Sequence, residues 1–120
     1  MGRRTYEDHN SKLDDRLNLV VSRNSHYEAA QGVTVAGSLE AAMNLATEFQ
    51  EVFIIGGVPL LVAAFDKADR VYETRINTTV DGDTFLPEFD FSDFETTTLS
   101  HHAVDERHAF SFDIYLHQRH

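Results

Sequence analysis

The sequence predicts a single α/β domain over residues 1–120, with a mostly parallel central sheet, flanking helices and an antiparallel C-terminal hairpin. Three observations carry this. Val52-Phe53-Ile54-Ile55 is a run of β-branched and aromatic residues with the composition of a strand buried on both faces, and it ends at Gly56-Gly57. From Leu17 to Ile76, strand-like and helix-like segments alternate, the order of a layered α/β sheet. From Phe94 the pattern becomes two alternating stretches separated by polar residues, the signature of a hairpin.

Each element has its own reason. Gly2-Arg3-Arg4-Thr5 opens a short polar stretch, either as the start of a helix whose amides and guanidiniums hold a phosphate or as solvated arginines. His9 to Asp15 is a polar connection. Leu17 to Ser22 reads as a strand, stopped by the turn formers Ser22-Arg23-Asn24-Ser25. A short strand at Val33 to Val35 leads to Ser38, a good N-cap for a helix through about Gln50. Leu39, Ala42, Met43, Ala46 and Phe49 recur there at helical spacing and form a core stripe. Val52 to Ile55 follows as the central strand. Gly56 and Gly57 permit positive φ and close approach of another group, and Pro59 suits the first turn of a helix running to Phe65. Arg70 to Ile76 is the next strand. Phe85, Phe89, Phe91 and Phe94 are expected to pin an extended loop to the core. Phe94 to Ser100 and Ala109 to His117 form the closing hairpin around His101 to His108.

Composition excludes several function classes. At 120 residues, 42 % hydrophobic and 11 % aromatic, the chain is long enough for a core of its own. Asp and Glu number 20 against 10 Lys and Arg, and the net charge of −10 disfavours nucleic acid and anionic membranes as partners. No apolar run approaches a membrane span, and the first residues lack the apolar centre of a signal peptide, so a cytoplasmic location is expected. There is no cysteine, which removes disulfides and thiolate chemistry. Only Lys12 and Lys67 stand among the cations beside eight arginines. Salt adaptation and compositional drift both account for the acidity.

Candidate chemistry is sparse. Seven histidines invite a metal, but His101, His102, His108, His117 and His120 fit no metal-ligand spacing, and solvated hairpin histidines with no metal are expected. Asp81-Gly82-Asp83 lacks the remaining ligands of a calcium loop. Ser22, Ser25 and Ser38 lie in turn or cap contexts without a nucleophile elbow. An anion-binding constellation remains: Gly2-Arg3-Arg4-Thr5, Ser22-Arg23, and Gly56-Gly57 with the helix after it. Three such sites at the ends of successive elements fit one extended polyanion, such as a phosphorylated dinucleotide.

In order along the chain, Met1-Gly2-Arg3-Arg4-Thr5-Tyr6-Glu7, Arg16-Leu17-Asn18, Val21-Ser22-Arg23 and Ser38-Leu39-Glu40-Ala41-Ala42 are followed by Val52-Phe53-Ile54-Ile55-Gly56-Gly57 and Ala68-Asp69-Arg70-Val71-Tyr72. Thr74-Arg75-Ile76, Gly82-Asp83-Thr84-Phe85-Leu86-Pro87 and Phe110-Ser111-Phe112 complete the series. This ordered set resembles dihydrofolate reductase over essentially the whole chain. The resemblance implies reduction of 7,8-dihydrofolate to tetrahydrofolate with NADPH as cofactor. By motif position, Gly2, Arg3, Arg4 and Thr5 would hold cofactor phosphates, and Ser22 with Arg23 the 2′-phosphate. Gly56, Gly57, Val58 and Leu60 would lie along the pyrophosphate and nicotinamide. Arg16 would grip the carboxylate of the substrate's glutamate tail, with Leu13 beside its aromatic ring. Ile55 would line both the pterin and the nicotinamide, Thr74 would meet the pterin's polar edge, and Gly82-Asp83 would brace a mobile loop.

The departures are specific. Val58-Pro59-Leu60-Leu61 lacks the arginine or serine and the tyrosine that many members place there, which weakens pyrophosphate binding. Asp14-Asp15 replaces a Pro-Gly turn ahead of Arg16. Members begin before the position of Met1, with a core strand, a mobile loop and a helix carrying the proton-relay carboxylate. The chain is therefore expected to be N-terminally incomplete, impaired alone and prone to self-association, and no catalytic residue is assignable. Two alternatives are a noncatalytic or inert nucleotide-binding fragment, and a related reductase for another pterin-like or pyrimidine substrate, against which Arg16 argues.

Overall fold

The helix at the front forms as far as the sequence allows. In the computed structural model, which describes residues 1–9 and 12–120, Arg3–His9 is helical (α1), and Gly2 O accepts the Tyr6 N–H at 3.1 Å. The strands Asn18–Val21 (β1) and Val33–Ala36 (β2) follow, then the helices Leu39–Leu45 (α2) and Val58–Phe65 (α3). Arg70–Ile76 (β3), Phe94–His102 (β4) and Phe112–Arg119 (β5) complete the order. The chain divides into two units, residues 1–66 and 67–120.

In the first unit, β1 and β2 pair in parallel with Asn18 opposite Val33 and Val21 opposite Ala36. Val20 is fully buried, and Ala36, Ala42 and Ala46 are buried with it, so small residues carry the packing of α2. Ser38 caps that helix as expected, its Oγ accepting the Ala41 N–H at 3.0 Å. The helix stops at Leu45, short of Gln50, with a turn in which the Ala46 N–H donates to Met43 O and the Phe49 N–H to Ala46 O. Of the expected core stripe, Met43 and Phe49 are exposed. α3 starts at Gly57 with Pro59 in its first turn, the arrangement in which the missing N–H of proline costs nothing.

The expected central strand needs correction. Residues 52–55 belong to neither ladder, and Val52, Phe53 and Ile55 are exposed, Phe53 by 60 %. β-branched residues favour extended backbone, but a strand exists only through a paired neighbour, and the described residues form no ladder with this segment.

In the second unit the sheet order is β3-β5-β4, antiparallel throughout. The C-terminal hairpin is present, yet β5 is the middle strand and not an edge. Among the described residues the parallel ladder is that of β1 with β2, to which Gly2 adds a single parallel bridge at Val21. A register shift between Thr98 and Ser100 interrupts the β4 ladder. Phe94 is buried, with Phe91 edge-on to it at 5.5 Å and the Arg119 guanidinium over its ring at 4.4 Å. Phe89 and Phe91 also pack, but Phe85 is 74 % exposed and pins nothing, because the loop from 77 to 87 leaves its side chain in solvent.

His117 is the buried polar centre of this unit. Its Nε2 lies 3.0 Å from Glu73 Oε1, its Nδ1 2.7 Å from the Thr96 hydroxyl, and its ring stacks on Phe91 at 3.7 Å. A carboxylate only accepts, so Nε2 carries a hydrogen, and the Thr96 hydroxyl, which both donates and accepts, completes the ring's pairing at Nδ1. Burial alone would raise Glu73, but the bonds from His117 and Arg75 outweigh it and hold the carboxyl below its ordinary range.

Candidate cofactor and substrate site

Two residues of extended chain tie the first unit's site together. The Met1 carbonyl accepts the Val21 N–H at 2.8 Å, Gly2 bridges Val21 in parallel, and the Gly2 N–H donates to Gly56 O at 2.8 Å. The start of α1 is thereby held between the end of β1 and the turn that leads into α3. Gly56 is buried with φ +132°, a conformation that L side chains rarely adopt, and the Gly56–Gly57 peptide is cis. Thr5 lies over this turn, since a Cβ added at Gly56 or Gly57 would meet its Oγ1 at 3.4 or 3.6 Å.

The structure thus brings together Gly2, Thr5, Gly56 and Gly57, which the sequence had only in separate motifs. Ser22 follows the Gly2–Val21 bridge by one residue. Its N–H extends the ladder to Ala36 O at 2.9 Å, and its Oγ accepts the Asn24 N–H at 3.2 Å in a turn that leaves Arg23 exposed. Arg3 and Arg4 are exposed on the first turn of α1, Arg3 facing Glu7 at 3.9 Å. Val58 and Leu60 lie in the first turn of α3, where Gly57 O accepts the Leu60 and Leu61 N–H groups. Ile55 is exposed immediately before the glycines. The far side of α1 is fixed to the loop after β1: Tyr6 Oη accepts the Ala30 N–H at 3.0 Å, and the Tyr27 hydroxyl donates to Glu7 at 3.1 Å.

Leu13 and Arg16 are exposed in the turn that precedes β1. Asp15 there has φ +61°, the left-handed position that glycine fills without cost. The turn is held by a residue to which sequence reasoning assigned no role. Asn18, 2 % exposed, accepts the Leu13 N–H at 2.8 Å and donates through Nδ2 to Leu13 O at 2.8 Å and Arg16 O at 3.0 Å. A polar residue opening an otherwise apolar strand was the available signal, because a buried amide must find partners. Thr74 lies on β3 in the second unit, exposed and opposite Ile114. That unit also holds a cleft of about 410 Å³ lined by Glu73, Arg75, Leu86, Pro87, Glu88, Phe89 and Phe91, none of them an expected ligand contact.

The arrangement can do one kind of chemistry well. Helix starts, glycine backbone and guanidiniums favour phosphate oxygens, and an exposed apolar residue beside them favours a planar ring. Among the described residues, no helix is long and apolar enough to cross a membrane.

Comparison with known proteins gives the family. The dihydrofolate reductase family profile matches residues 1–119. Dihydrofolate reductase type 3 of Salmonella typhimurium is 40 % identical over 111 residues, covering 92 % of this chain and 68 % of that protein. The dihydrofolate reductase of Haemophilus influenzae is 36 % identical and covers 92 % of this chain and 68 % of its own length. That of Bacillus subtilis is 33 % identical over 99 % of this chain and 70 % of its own. A solved dihydrofolate reductase from Enterococcus faecalis, complexed with NADP(H) and RAB-propyl, superposes with a TM-score of 0.87 at 32 % identity, over 98 % of this chain and 71 % of that one. A profile match along nearly the whole chain, with relatives at this identity and a shared fold, establishes that the chain belongs to the dihydrofolate reductase family.

Proposed function

We propose that this chain binds NADPH and 7,8-dihydrofolate and reduces the latter to tetrahydrofolate. The observation that carries the reading is the packing of Gly2 and Thr5 against Gly56-Gly57, which brings the start of α1, where Arg3 and Arg4 stand, to the glycine turn that opens α3. NADPH, when bound, supplies the hydride. Arg3 and Arg4 bind its phosphates through paired, charge-assisted bonds, Arg3 exchanging its long contact with Glu7 for a phosphate oxygen. Thr5 adds a hydroxyl, and Ser22 with Arg23 takes the 2′-phosphate. Gly56 and Gly57 let the cofactor approach the backbone, and Val58 and Leu60 present the positive end of α3 to the pyrophosphate. Ile55 offers an apolar surface to the nicotinamide and pterin. Arg16 pairs with the substrate's tail carboxylate beside Leu13, and Thr74 takes the pterin's polar edge. No described side chain is assigned as the proton donor, so the part played by these residues is alignment of the two rings.

The test is direct. NADPH at a hundred times its Kd should stabilise the chain by about 2.7 kcal/mol, read as a raised melting temperature, and dihydrofolate should then drive its oxidation. No shift at saturating cofactor overturns the reading. A shift without dihydrofolate-dependent oxidation would favour a nucleotide-binding chain that does not turn over.

The same reading takes residues 1–120 as one domain working in the cytoplasm with soluble ligands. The charge of −10 supports a salt-adapted surface, and unfolding in low and in multimolar KCl decides it, since equal stability in both would refute salt adaptation. Exposed Phe53, Ile55, Val80 and Phe85 support self-association, which sedimentation at rising protein concentration checks; a monomer throughout would end that idea.

A further inference from the structure

We propose that the loop joining β4 to β5 holds a divalent transition-metal ion through His102, Asp105 and His108. Sequence spacing alone made these solvated histidines, but the loop places one ligand atom from each within 4.8 Å of the others. The rings are anchored. His102 ends β4 opposite Phe112 and stacks flat on its ring at 4.7 Å, while His108 tilts over the same ring at 5.5 Å. The loop backbone is anchored too, because the Asp105 N–H donates to His108 O at 3.1 Å and the Arg107 and His108 N–H groups both donate to Asp105 Oδ1 at 2.8 Å.

The proton positions point to a cation. His102 Nδ1 lies 2.8 Å from Ala103 O, and a carbonyl only accepts, so this nitrogen carries the hydrogen. In the neutral ring the lone pair is then on Nε2, which faces Asp105 Oδ2 at 3.4 Å. Two electron-rich atoms meeting in this way need a positive charge between them, either a proton or a metal ion. His108 Nδ1 lies 2.9 Å from the other oxygen of the same carboxylate. A backbone carbonyl holding the non-ligating nitrogen is the usual way a metal-binding histidine is oriented. Two imidazoles and a carboxylate suit zinc, cobalt, nickel or copper, and three protein donors leave a fourth position to water. His101 stands apart from this group, paired with Asp113 at 2.5 Å.

The experiment is titration of the full chain with Zn²⁺ by calorimetry and with Co²⁺ by visible absorption at neutral pH. A one-to-one complex is expected. His102→Ala, Asp105→Asn and His108→Ala should each weaken it by about tenfold or more, and His101→Ala and His120→Ala should leave it unchanged. Amide chemical shifts of the unsubstituted chain should move on adding Zn²⁺ in residues 102–112, which makes the result independent of how the variants fold. Absence of binding, binding insensitive to the three substitutions, or shifts confined to other residues would overturn the proposal.

Discussion

Asn18→Ala separates the turn before β1 from the rest of the first unit. The side chain makes three hydrogen bonds, accepting from Leu13 N–H and donating to the Leu13 and Arg16 carbonyls. At about 1 kcal/mol net for each, their sum is about 3 kcal/mol. Leu13 and Arg16 are exposed, so water replaces part of what is lost and the expected cost is about 2 kcal/mol. With about 2.1 cal/mol/K of unfolding entropy per residue over 120 residues, that is a fall in Tm of about 8 °C. Affinity should divide along the same line. Dihydrofolate binding weakens because Leu13 and Arg16 lose their shared anchor, whereas NADPH binding at the glycine turn is retained. Asn18→Asp is expected to be worse than Ala, since it replaces Nδ2 by a carboxylate oxygen that faces two carbonyls. Asn44→Ala, at an exposed position, should stay within about 0.5 kcal/mol of the parent. Thermal melts and equilibrium titration of both ligands read all of this. Asn18→Ala melting with the parent and binding dihydrofolate unchanged would refute the argument.

Four further substitutions test other parts of the chain. Gly56→Ala places a side chain at φ +132° against Thr5 and should cost about 1–3 kcal/mol, while Gly57→Ala, at φ −81° with its Cβ 3.6 Å from Thr5 Oγ1, should fold like the parent; denaturant unfolding of the pair checks the contrast. Asp15→Gly relieves the left-handed turn at φ +61° and should raise the melting temperature by a few degrees, worth up to about 1 kcal/mol. The Glu73 and Asp113 carboxyls are both held below their ordinary range, Glu73 despite burial by His117 and Arg75, and Asp113 by His101 and Asn77. Their stabilisation is therefore full above the ordinary carboxylate range and is lost as pH falls from that range through the lowered values of the folded state. Melting temperature should drop on acidification, and Glu73→Gln should flatten part of that drop.

The elements that sequence made legible are those whose cause is local. Ser38 caps α2 because its hydroxyl reaches an amide three residues on, and Pro59 begins α3 because its φ is already helical. Arg70–Ile76 is delimited to the residue, its β-branched and aromatic residues Val71, Tyr72, Thr74 and Ile76 giving way to the polar run from Asn77 where the ladder ends. What escaped depends on partners distant in sequence. Val52 to Ile55 has every local mark of a buried strand, and its pairing is decided by residues that no window on that segment contains. The three-stranded antiparallel order failed for the same reason, since a hairpin pattern says that β4 meets β5 but not that β3 takes the other side.

The site divides similarly, and the division explains why Asn18 was overlooked. Gly2, Thr5, Gly56 and Gly57 were singled out because each is unusual where it stands, and the fold needed only to bring them together. Arg16 and Leu13 were named for what they would touch. Asn18 touches no ligand in any of these readings; it acts on the backbone of the two residues that do. Its signature is energetic and appears only when burial and hydrogen bonds are known together, since an amide 2 % exposed with both donors and its oxygen engaged is a polar group the fold cannot leave unpaired. The loop that gathers His102, Asp105 and His108 follows the same logic. Spacing along the chain there predicts no metal, but a turn closed by Asp105 and two rings laid on Phe112 converts an irregular spacing into converging donors. In both places the decisive residue is the one that fixes the backbone, and ligand geometry follows from it.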